Sequence, residues 1–458
     1  MELHKRDLDL LNKTNSLINS RFKHVGVNKA QELTRLLYEI SKKDSVSPRP
    51  ILDEIGALDF NTIKKELVKK RYPYSYLNNE ALDLYLPKLS FEATSVLDTN
   101  KRKFYPKSIF IEKHASGSFL AKRFKNIFPK AKVKEIPSLK EYLKQNRGLT
   151  LKDYNKRTET VFITKENYDF FKRCPCTKHA VGCGYNIFNL SFGCIFDCTY
   201  CYLQEYVNSP GLIFPSNLDN FFNKFSSYKK SGMRIGTGEF SDSLMLDNIT
   251  EYSFSMIDFF NKHKDVTFEF KTKSVNIANI LKAKQTGNIV ISWSLNPQNI
   301  IDENEFFAPS LKERLKAIEL SRKAGYKIGI HFDPVIYFSD WEKEYEKVIG
   351  LLFKKIKTRD IAWISIGTLR FNPSVKLVIE KRFPENKLLD GELLKGFDKK
   401  LRYPYGLRRS IYKKMIEMLE KHSKDIPVYL CMEDRSMWQE FKGHIKFSSC
   451  VLNQPMLT

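Results

Sequence analysis

From residue 182 onward the chain alternates between short apolar segments and amphipathic helical segments, and this alternation most constrains the fold. Strand–helix alternation predicts parallel strands that form an open sheet or a barrel. Active sites in such barrels lie at the carboxyl ends of the strands, so candidate functional residues are sought there. The predicted strands cover residues 186–190, 234–236, 267–271, 289–293, 327–332, 361–366 and 427–430, with helical segments at 219–230, 275–283, 310–324 and 341–355.

The region before the alternating segment divides into two parts. Residues 1–104 have apolar positions at helical spacing and predict a helical N-terminal extension, including a helix near residues 79–85. Residues 105–180 predict a small α/β segment that leads into the barrel. The barrel is assigned to residues 181–435, and residues 436–458 form a C-terminal tail. The strands expected in the small α/β segment cover residues 108–111, 132–136 and 160–164.

Composition indicates a basic protein with a buried core. The net charge is +24 and the isoelectric point is about 9.4, a balance that attracts polyanions such as nucleic acid. A Lys-rich surface of the kind found with AT-rich genomes is the alternative explanation. Apolar residues make up 42% of the chain, which excludes global disorder. No segment reaches the roughly 20 apolar residues that span a bilayer, and the N-terminus lacks a signal-peptide pattern. We therefore expect a cytoplasmic protein without a membrane partner.

Six of the eight cysteines lie within 28 residues. Clustered cysteines in a cytosolic chain indicate metal or redox ligands rather than disulfides. Cys194, Cys198 and Cys201 have the spacing C-x3-C-x2-C and directly follow a predicted strand. Three thiolates on one loop can hold three irons of a 4Fe-4S cluster and leave the fourth iron open. The alternative is a zinc site, which requires more ligands. Such ligands are offered by Cys174, Cys176 and Cys183.

The cysteine loop resembles the signature of the radical S-adenosylmethionine superfamily. Its continuation Tyr200-Cys201-Tyr202-Leu203-Gln204 is similar to the cluster loop of one branch, the spore photoproduct lyase family. The similarity runs on through Thr272-Lys273-Ser274 and Ser292-Trp293-Ser294-Leu295-Asn296, and it is still visible at Arg402-Tyr403-Pro404-Tyr405-Gly406. It covers roughly residues 105–435.

The resemblance implies a partial (β/α) barrel of the radical S-adenosylmethionine type. A 4Fe-4S cluster on Cys194, Cys198 and Cys201 would bind S-adenosylmethionine at its open iron. One electron, from a donor such as ferredoxin or flavodoxin, would cleave this cofactor to methionine and a 5′-deoxyadenosyl radical, which takes a hydrogen atom from the substrate. In the family the substrate is a thymine dimer of spore DNA.

The resemblance also implies which side chains at the strand ends bind the cofactor. Glu239, after the second barrel strand, would bind the amino group of S-adenosylmethionine, and a carboxylate is physically suited to pair with an ammonium. Lys273 would bind the carboxylate of the cofactor. Ser241 and Asp242 share the loop of Glu239 and are expected to face the same pocket. The expected cofactor-binding set is Gly238, Glu239, Ser241, Lys273, Ser294 and Asn296.

Two further groups of residues follow from the resemblance. Tyr200 and Tyr202 flank Cys201, and tyrosines at these positions take part in hydrogen transfer in the family; packing around the cluster is the alternative. With Glu239 they form the expected catalytic set. A basic and aromatic stretch would contact nucleic acid, most readily DNA, because arginines bind phosphates and aromatic rings stack on exposed bases. A solvated basic loop is the alternative. The stretch consists of Arg402, Tyr403, Tyr405, Arg408 and Arg409.

One departure from the family pattern bears on the activity. The family uses a cysteine after the second barrel strand as a hydrogen-atom donor, and Glu239 occupies that position here. The chain has no cysteine between Cys201 and Cys431. Three functions therefore stay open: repair of a pyrimidine dimer in DNA, radical modification of RNA or another substrate, and nucleic-acid binding by a metal- or cluster-bearing protein without catalysis.

Overall fold

The computed structural model describes residues 2–56, 59–100, 103–146, 148–166, 171–206 and 209–445. The chain divides into two compact units. The first joins the residues up to Asp98 with Leu369–Ser410, and the second joins Thr99–Thr368 with the residues from Ile411 onward. Residues 369–410, which the sequence analysis assigned to the barrel, thus cluster with the N-terminal helices. Of the expected tail, residues 446–458 lie outside the described residues. The described helices include none with the length and apolar character needed to cross a bilayer.

An eight-stranded sheet forms the centre of the second unit. Its strands pair in parallel except at one edge, where Phe171–Arg173 runs antiparallel to Tyr185–Phe188. All seven predicted barrel strands are confirmed, and the sheet curls into the expected partial barrel. In spatial order the strands are Val428–Leu430, Ile361–Thr368, Lys327–Val335, Ile289–Ser294, Thr267–Thr272, Arg234–Thr237, Tyr185–Phe188 and Phe171–Arg173.

Helices connect the strands and pack against the sheet. The strand Ile289–Ser294 is buried at every position, as expected for a parallel strand that is covered on both faces. The helix Leu311–Lys323 contacts this strand, and it begins at a capping box formed by Ser310 and Glu313. From residue 203 onward the described helices of this unit are Leu203–Tyr206, Leu218–Tyr228, Asp247–Thr250, Tyr252–Asn261, Ala278–Lys282, Gln298–Asn304, Leu311–Lys323, Trp341–Phe353, the part of Tyr405–Glu420 that follows Ser410, and Arg435–Glu440.

A smaller parallel sheet precedes the barrel in the second unit. The three strands predicted for residues 105–180 are confirmed, and a fourth strand that was not predicted, Leu212–Pro215, pairs with Thr160–Thr164. Phe192 bridges to Ile213 of this fourth strand, so the small sheet adjoins the segment that carries the cysteine triad. In spatial order its strands are Lys132–Ile136, Ser108–Glu112, Thr160–Thr164 and Leu212–Pro215, and its helices are Phe119–Ile127, Leu139–Gln145 and Leu151–Asn155.

The first unit is mainly helical, as the sequence predicts for the N-terminal extension. Leu33, Leu36 and Leu37 are fully buried at helical spacing on the helix Val27–Asp44, which packs against Phe60–Arg71. The helices are Glu2–Arg21, Val27–Asp44, Pro48–Ile55, Phe60–Arg71, Pro73–Leu77, Pro373–Arg382 and the start of Tyr405–Glu420. A small antiparallel sheet consists of Arg370–Phe371, Leu394–Lys395 and Leu401–Arg402.

The helix predicted near residues 79–85 is wrong, because this segment has no regular structure. Asn79 has a φ of +52°, a left-handed conformation that stops the preceding helix. Leu82, Leu84 and Leu86 pack against the helical core of the unit. These leucines are spaced by two residues, which places their side chains on the same side of an extended chain. Their packing therefore favours an extended segment over the predicted helix.

A buried carboxylate ties the two sequence segments of the first unit together. Glu39 accepts from Arg35 at 2.7 Å, from Arg71 at 2.8 Å and from Lys376 at 2.8 Å. Burial opposes its ionisation, yet the three cations hold the pKa of Glu39 well below its usual value. Removing one member of such a group leaves an uncompensated buried charge, so the cluster requires both segments.

Candidate active site

The cysteine triad lies on a loop that follows the first parallel barrel strand, Tyr185–Phe188. Gly193 opens the loop with a φ of +85°, and a Cβ atom added there would stand 2.8 Å from Cδ2 of Leu212. Cys198 is buried, and Cys194 and Cys201 are partly buried. The thiol groups lie close enough for their charges to act on one another. Burial raises the pKa of Cys194 to about 12, so its ionisation requires a nearby cation.

Arg157 holds the backbone of this loop in place. Its guanidinium is fully buried and donates to the carbonyl oxygens of Cys194 at 3.1 Å and Phe196 at 2.9 Å. It also forms an ion pair with buried Asp197, at 3.0 Å. On the far side of the loop, the backbone of Cys198 pairs with Glu305. The loop therefore has a fixed shape that comes from residues distant in sequence.

The donor set of this loop suits an iron–sulfur cluster. Three soft thiolates on one loop match the ligation of a cuboid cluster that keeps one iron open. Within the described residues, no three His, Cys, Asp or Glu side chains are arranged around a single metal ion. A closed structural zinc site needs four ligands around one ion, whereas three cysteines on one loop are the ligand number of the cluster.

The loop after the second barrel strand, Arg234–Thr237, lies beside the cysteine loop. The N–H of Gly193 donates to the carbonyl of Phe240 at 2.8 Å. The hydroxyl of Tyr202 donates to the carbonyl of Glu239. Ser241 is hydrogen-bonded to Ser191, at 2.7 Å between their hydroxyl oxygens. The structure thus brings the expected ammonium-binding loop against the triad.

Glu239 and Lys273 are the charged groups expected to bind the cofactor. The Glu239 side chain is 9% exposed, and its Oε2 lies 2.5 Å from Nζ of Lys172. Gly238, with a φ of +102°, makes the turn that carries Glu239. Asp242 accepts from the backbone N–H of Lys273 at 2.6 Å and so joins the ends of the second and third strands.

A buried polar network lies beneath Tyr200. The hydroxyl of Tyr200 donates to Glu305, which also accepts from Asn296 at 2.8 Å and pairs with Arg314 at 2.6 Å. Burial opposes the charge of Glu305, but Arg314 and then Lys273 lower the pKa of this carboxyl to about 2. The same network reaches the strand end, since Arg314 donates to the carbonyl of buried Ser294 at 3.0 Å.

The sequence analysis missed Glu305, Arg314 and Arg157. Each acts through a partner that is far away in sequence or on another element, and no motif or spacing marks it. Of the expected residues around the network, Asn296 is held at both ends, because Tyr345 donates to its Oδ1 at 2.7 Å. Asn296 therefore has a fixed orientation.

The basic and aromatic stretch lies in the first unit, and its five residues differ in whether their side chains are buried or exposed. Arg402 is buried in an ion pair with Asp398, at 2.6 Å. Tyr403 is buried, and its carbonyl accepts from buried Arg408 at 2.8 Å. Only two of the five expected nucleic-acid contacts, Tyr405 and Arg409, have exposed side chains.

The three cysteines without an assignment lie near the amino end of the first parallel strand. The N–H of Cys174 donates to the carbonyl of Tyr185 at 2.9 Å, which extends the antiparallel pairing of the sheet edge. A side-chain hydrogen bond from Cys176, together with burial, raises the pKa of Cys174. Burial raises the pKa of Cys183. Within the described residues these cysteines do not form a single-ion site.

The curled parallel sheet carries a loop with three cysteines after one strand. A carboxylate and a lysine lie at the ends of the next two strands. This arrangement defines an enzyme of the radical S-adenosylmethionine class. The sequence profile of spore photoproduct lyase matches residues 104–429. The chain belongs to the spore photoproduct lyase family.

Relatives named spore photoproduct lyase match the chain over different lengths. The protein of Bacillus subtilis is 27% identical over 335 residues, which cover 68% of this chain and 91% of the relative. A Geobacillus protein is 26% identical over 299 residues, covering 63% and 85%. A Clostridium acetobutylicum protein is 29% identical over 209 residues, covering 44% and 62%, so this match spans less than two thirds of that relative.

Solved structures of spore photoproduct lyase share the fold of the chain. One, complexed with dinucleoside spore photoproduct, has a TM-score of 0.61 and 24% identity, covering 72% of this chain and 100% of that chain. A double mutant with bound AdoMet and the same dinucleoside has a TM-score of 0.60 and 23% identity, covering 73% and 100%.

Proposed function

We propose that this protein is a radical lyase that reverts a pyrimidine photoproduct in DNA. The observation that carries the proposal is the convergence of the cysteine triad, Glu239 and Lys273 at the carboxyl ends of neighbouring barrel strands, where such barrels react. Family membership supports it, and a solved relative is complexed with dinucleoside spore photoproduct. We assign a 4Fe-4S cluster to Cys194, Cys198 and Cys201.

When bound, the reduced cluster and S-adenosylmethionine supply a carbon radical that removes one hydrogen atom from the substrate. The side chains of the chain bind and orient the reactants. The ammonium of Lys273 suits a carboxylate; burial opposes its charge, but Glu305 raises the pKa of Lys273. Glu239 suits an ammonium. Tyr200 is partly buried with its hydroxyl directed to Glu305, which fixes its ring beside the cysteine loop.

The net charge of the chain and the exposure of its basic residues indicate its partners, DNA and an electron donor. A chain of net charge +24 attracts phosphate backbones. Tyr405 and Arg409 are the exposed members of the basic and aromatic stretch, and we assign them the contact with DNA. Buried Arg402 serves to shape the segment that carries them. The electron comes from a low-potential protein of the ferredoxin or flavodoxin type, whose acidic surface would complement the basic chain.

The test uses protein purified without oxygen, reconstituted with iron and sulfide, and reduced with dithionite. We expect 5′-deoxyadenosine from S-adenosylmethionine, and thymines from an oligodeoxynucleotide that carries a defined thymine dimer. The matched control is Cys176→Ala, which removes a partly buried cysteine outside the triad, whereas Cys198→Ala should form neither product. Turnover of RNA with the dimer left intact would overturn the proposed substrate. A loaded, reducible cluster that forms no 5′-deoxyadenosine would overturn the chemistry.

A further inference from the structure

Lys271 is a charged side chain inside the barrel that the proposed function does not use. It lies on the strand Thr267–Thr272, two residues after Glu269 and two before Lys273. Alternate residues of a strand point to the same face. Glu269 points into the barrel, where it pairs with Arg234 of the neighbouring strand at 2.9 Å and His331 at 2.8 Å. Lys271 therefore also points into the barrel.

The charge of Lys271 reaches both sides of the barrel interior. It acts on the thiol of Cys174 at the sheet edge and on the ring of His331, two strands away in the other direction. Lys271 thus lies between the buried Glu269 cluster and Lys273, which adjoins the cysteine triad.

Lys271 has no counter-charge in the part of the chain that the structure describes. No hydrogen bond or ion pair from these described residues reaches its Nζ, whereas the two nearby carboxylates already have cationic partners. Glu239 pairs with Lys172, and Glu269 pairs with Arg234. A partly buried cation without a partner is unfavourable by itself. An ammonium that points into the barrel and lacks a carboxylate partner is available to bind an anionic ligand.

We propose that Lys271 binds a phosphate oxygen of the substrate, the phosphodiester that links the two nucleotides of the lesion. A lysine ammonium binds phosphate as a point charge. The phosphodiester is the anionic group of a dinucleotide, and a nucleotide extruded from the duplex carries it into the pocket. The proposal rests on the proposed function, because it takes a DNA dinucleotide as the substrate. It adds the group that positions this dinucleotide inside the barrel.

The first measurement is stability without any ligand. Lys271→Met keeps the length of the side chain and removes the unmatched charge. The variant should unfold at the same or a higher denaturant concentration than the wild type. A residue with a structural role would instead lose stability. Lys271→Gln, which stays polar, serves as a second variant, and Lys284→Met is the control at an exposed lysine.

The second measurement is the affinity for two thymidine dinucleotides, one with a natural phosphodiester and one with a neutral methylphosphonate link. Lys271→Met should bind the natural dinucleotide at least about tenfold more weakly than wild type, since a hydrogen bond to a charged group is lost. It should bind the methylphosphonate as wild type does. Equal loss for both dinucleotides would place Lys271 on a base carbonyl and overturn the proposal, as would no loss for either.

The repair assay separates this inference from the proposed function. Dinucleotide affinity can be measured without turnover. Even if the protein cleaves S-adenosylmethionine and leaves the dimer intact, the effect of Lys271→Met on this affinity still tests the phosphate contact. Wild-type repair together with an unaffected Lys271→Met variant would leave the function in place and remove the phosphate contact.

Discussion

Replacing Glu305 by glutamine tests the buried network that orients Tyr200. The new amide can still accept a hydrogen bond from Tyr200, but it leaves the guanidinium of Arg314 buried without its counter-ion. The pKa of Glu305 falls from 4.5 to about 2 in the folded protein. At about 1.36 kcal/mol per pKa unit, the ionised carboxylate contributes about 3 kcal/mol to folding. Breaking a buried ion pair costs about 3–5 kcal/mol in proteins, so the two values agree.

The assay is urea unfolding of the cluster-free protein at several pH values. Because the pKa of Glu305 is lower in the folded state, its contribution is present above pH 4.5 and is lost as the pH falls towards 2. At pH 7 we expect Glu305→Gln to lose about 3 kcal/mol, and we expect the difference from wild type to shrink below pH 4.5. Exposed Glu303→Gln is the control. A loss under about 1 kcal/mol at pH 7 would refute the reasoning.

Three further predictions test the loop, the first unit and the electrostatic partner. Gly193→Ala forces an alanine to a φ of +85° and against Leu212, at a cost of about 1–2 kcal/mol; its iron content after reconstitution should fall below that of Gly350→Ala, where an added Cβ meets no atom within 4 Å. Glu39→Gln removes the anion shared by three buried cations and should destabilise the first unit by about 3–5 kcal/mol, seen as faster amide exchange there than in exposed Glu54→Gln; unchanged exchange would contradict the assigned cluster. DNA affinity should fall steeply between about 50 and 200 mM salt through counterion release, and a flat response would argue against phosphate contacts.

The sequence predicts the elements whose signal is local. The barrel strands are apolar runs bounded by helical segments, and each of them forms. The cysteine spacing marks the loop after the strand Tyr185–Phe188, because all three cysteines of the triad lie within eight residues. Glu239 and Lys273 follow the next two strands in the sheet, as the sequence predicts, while the cofactor contacts that the resemblance implies for them stay predictions.

The sequence does not predict interactions between distant polar residues. Arg157 and Asp197 form their buried pair across 40 positions of the sequence. Nothing in the sequence around either residue distinguishes it from a charged residue on the surface. Burial is equally hidden in the basic stretch, where Arg402 and Arg409 look alike in sequence although only Arg409 is exposed. The apolar residues of the segment near residues 79–85 fit both a helical and an extended spacing, and only packing against the helical core decides between the two structures.

The first unit is built from two stretches of chain that lie far apart in sequence, and this order has a consequence for synthesis. Between Asp98 and Leu369 the ribosome must add 270 residues. At about 5–20 residues per second this takes roughly 15–55 s. During that interval Glu39 has Arg35 and Arg71 beside it, but Lys376 has not yet been made. The nascent helices therefore have to wait for their partner segment, and a translational pause before residue 410 would prolong their exposure to chaperones and proteases.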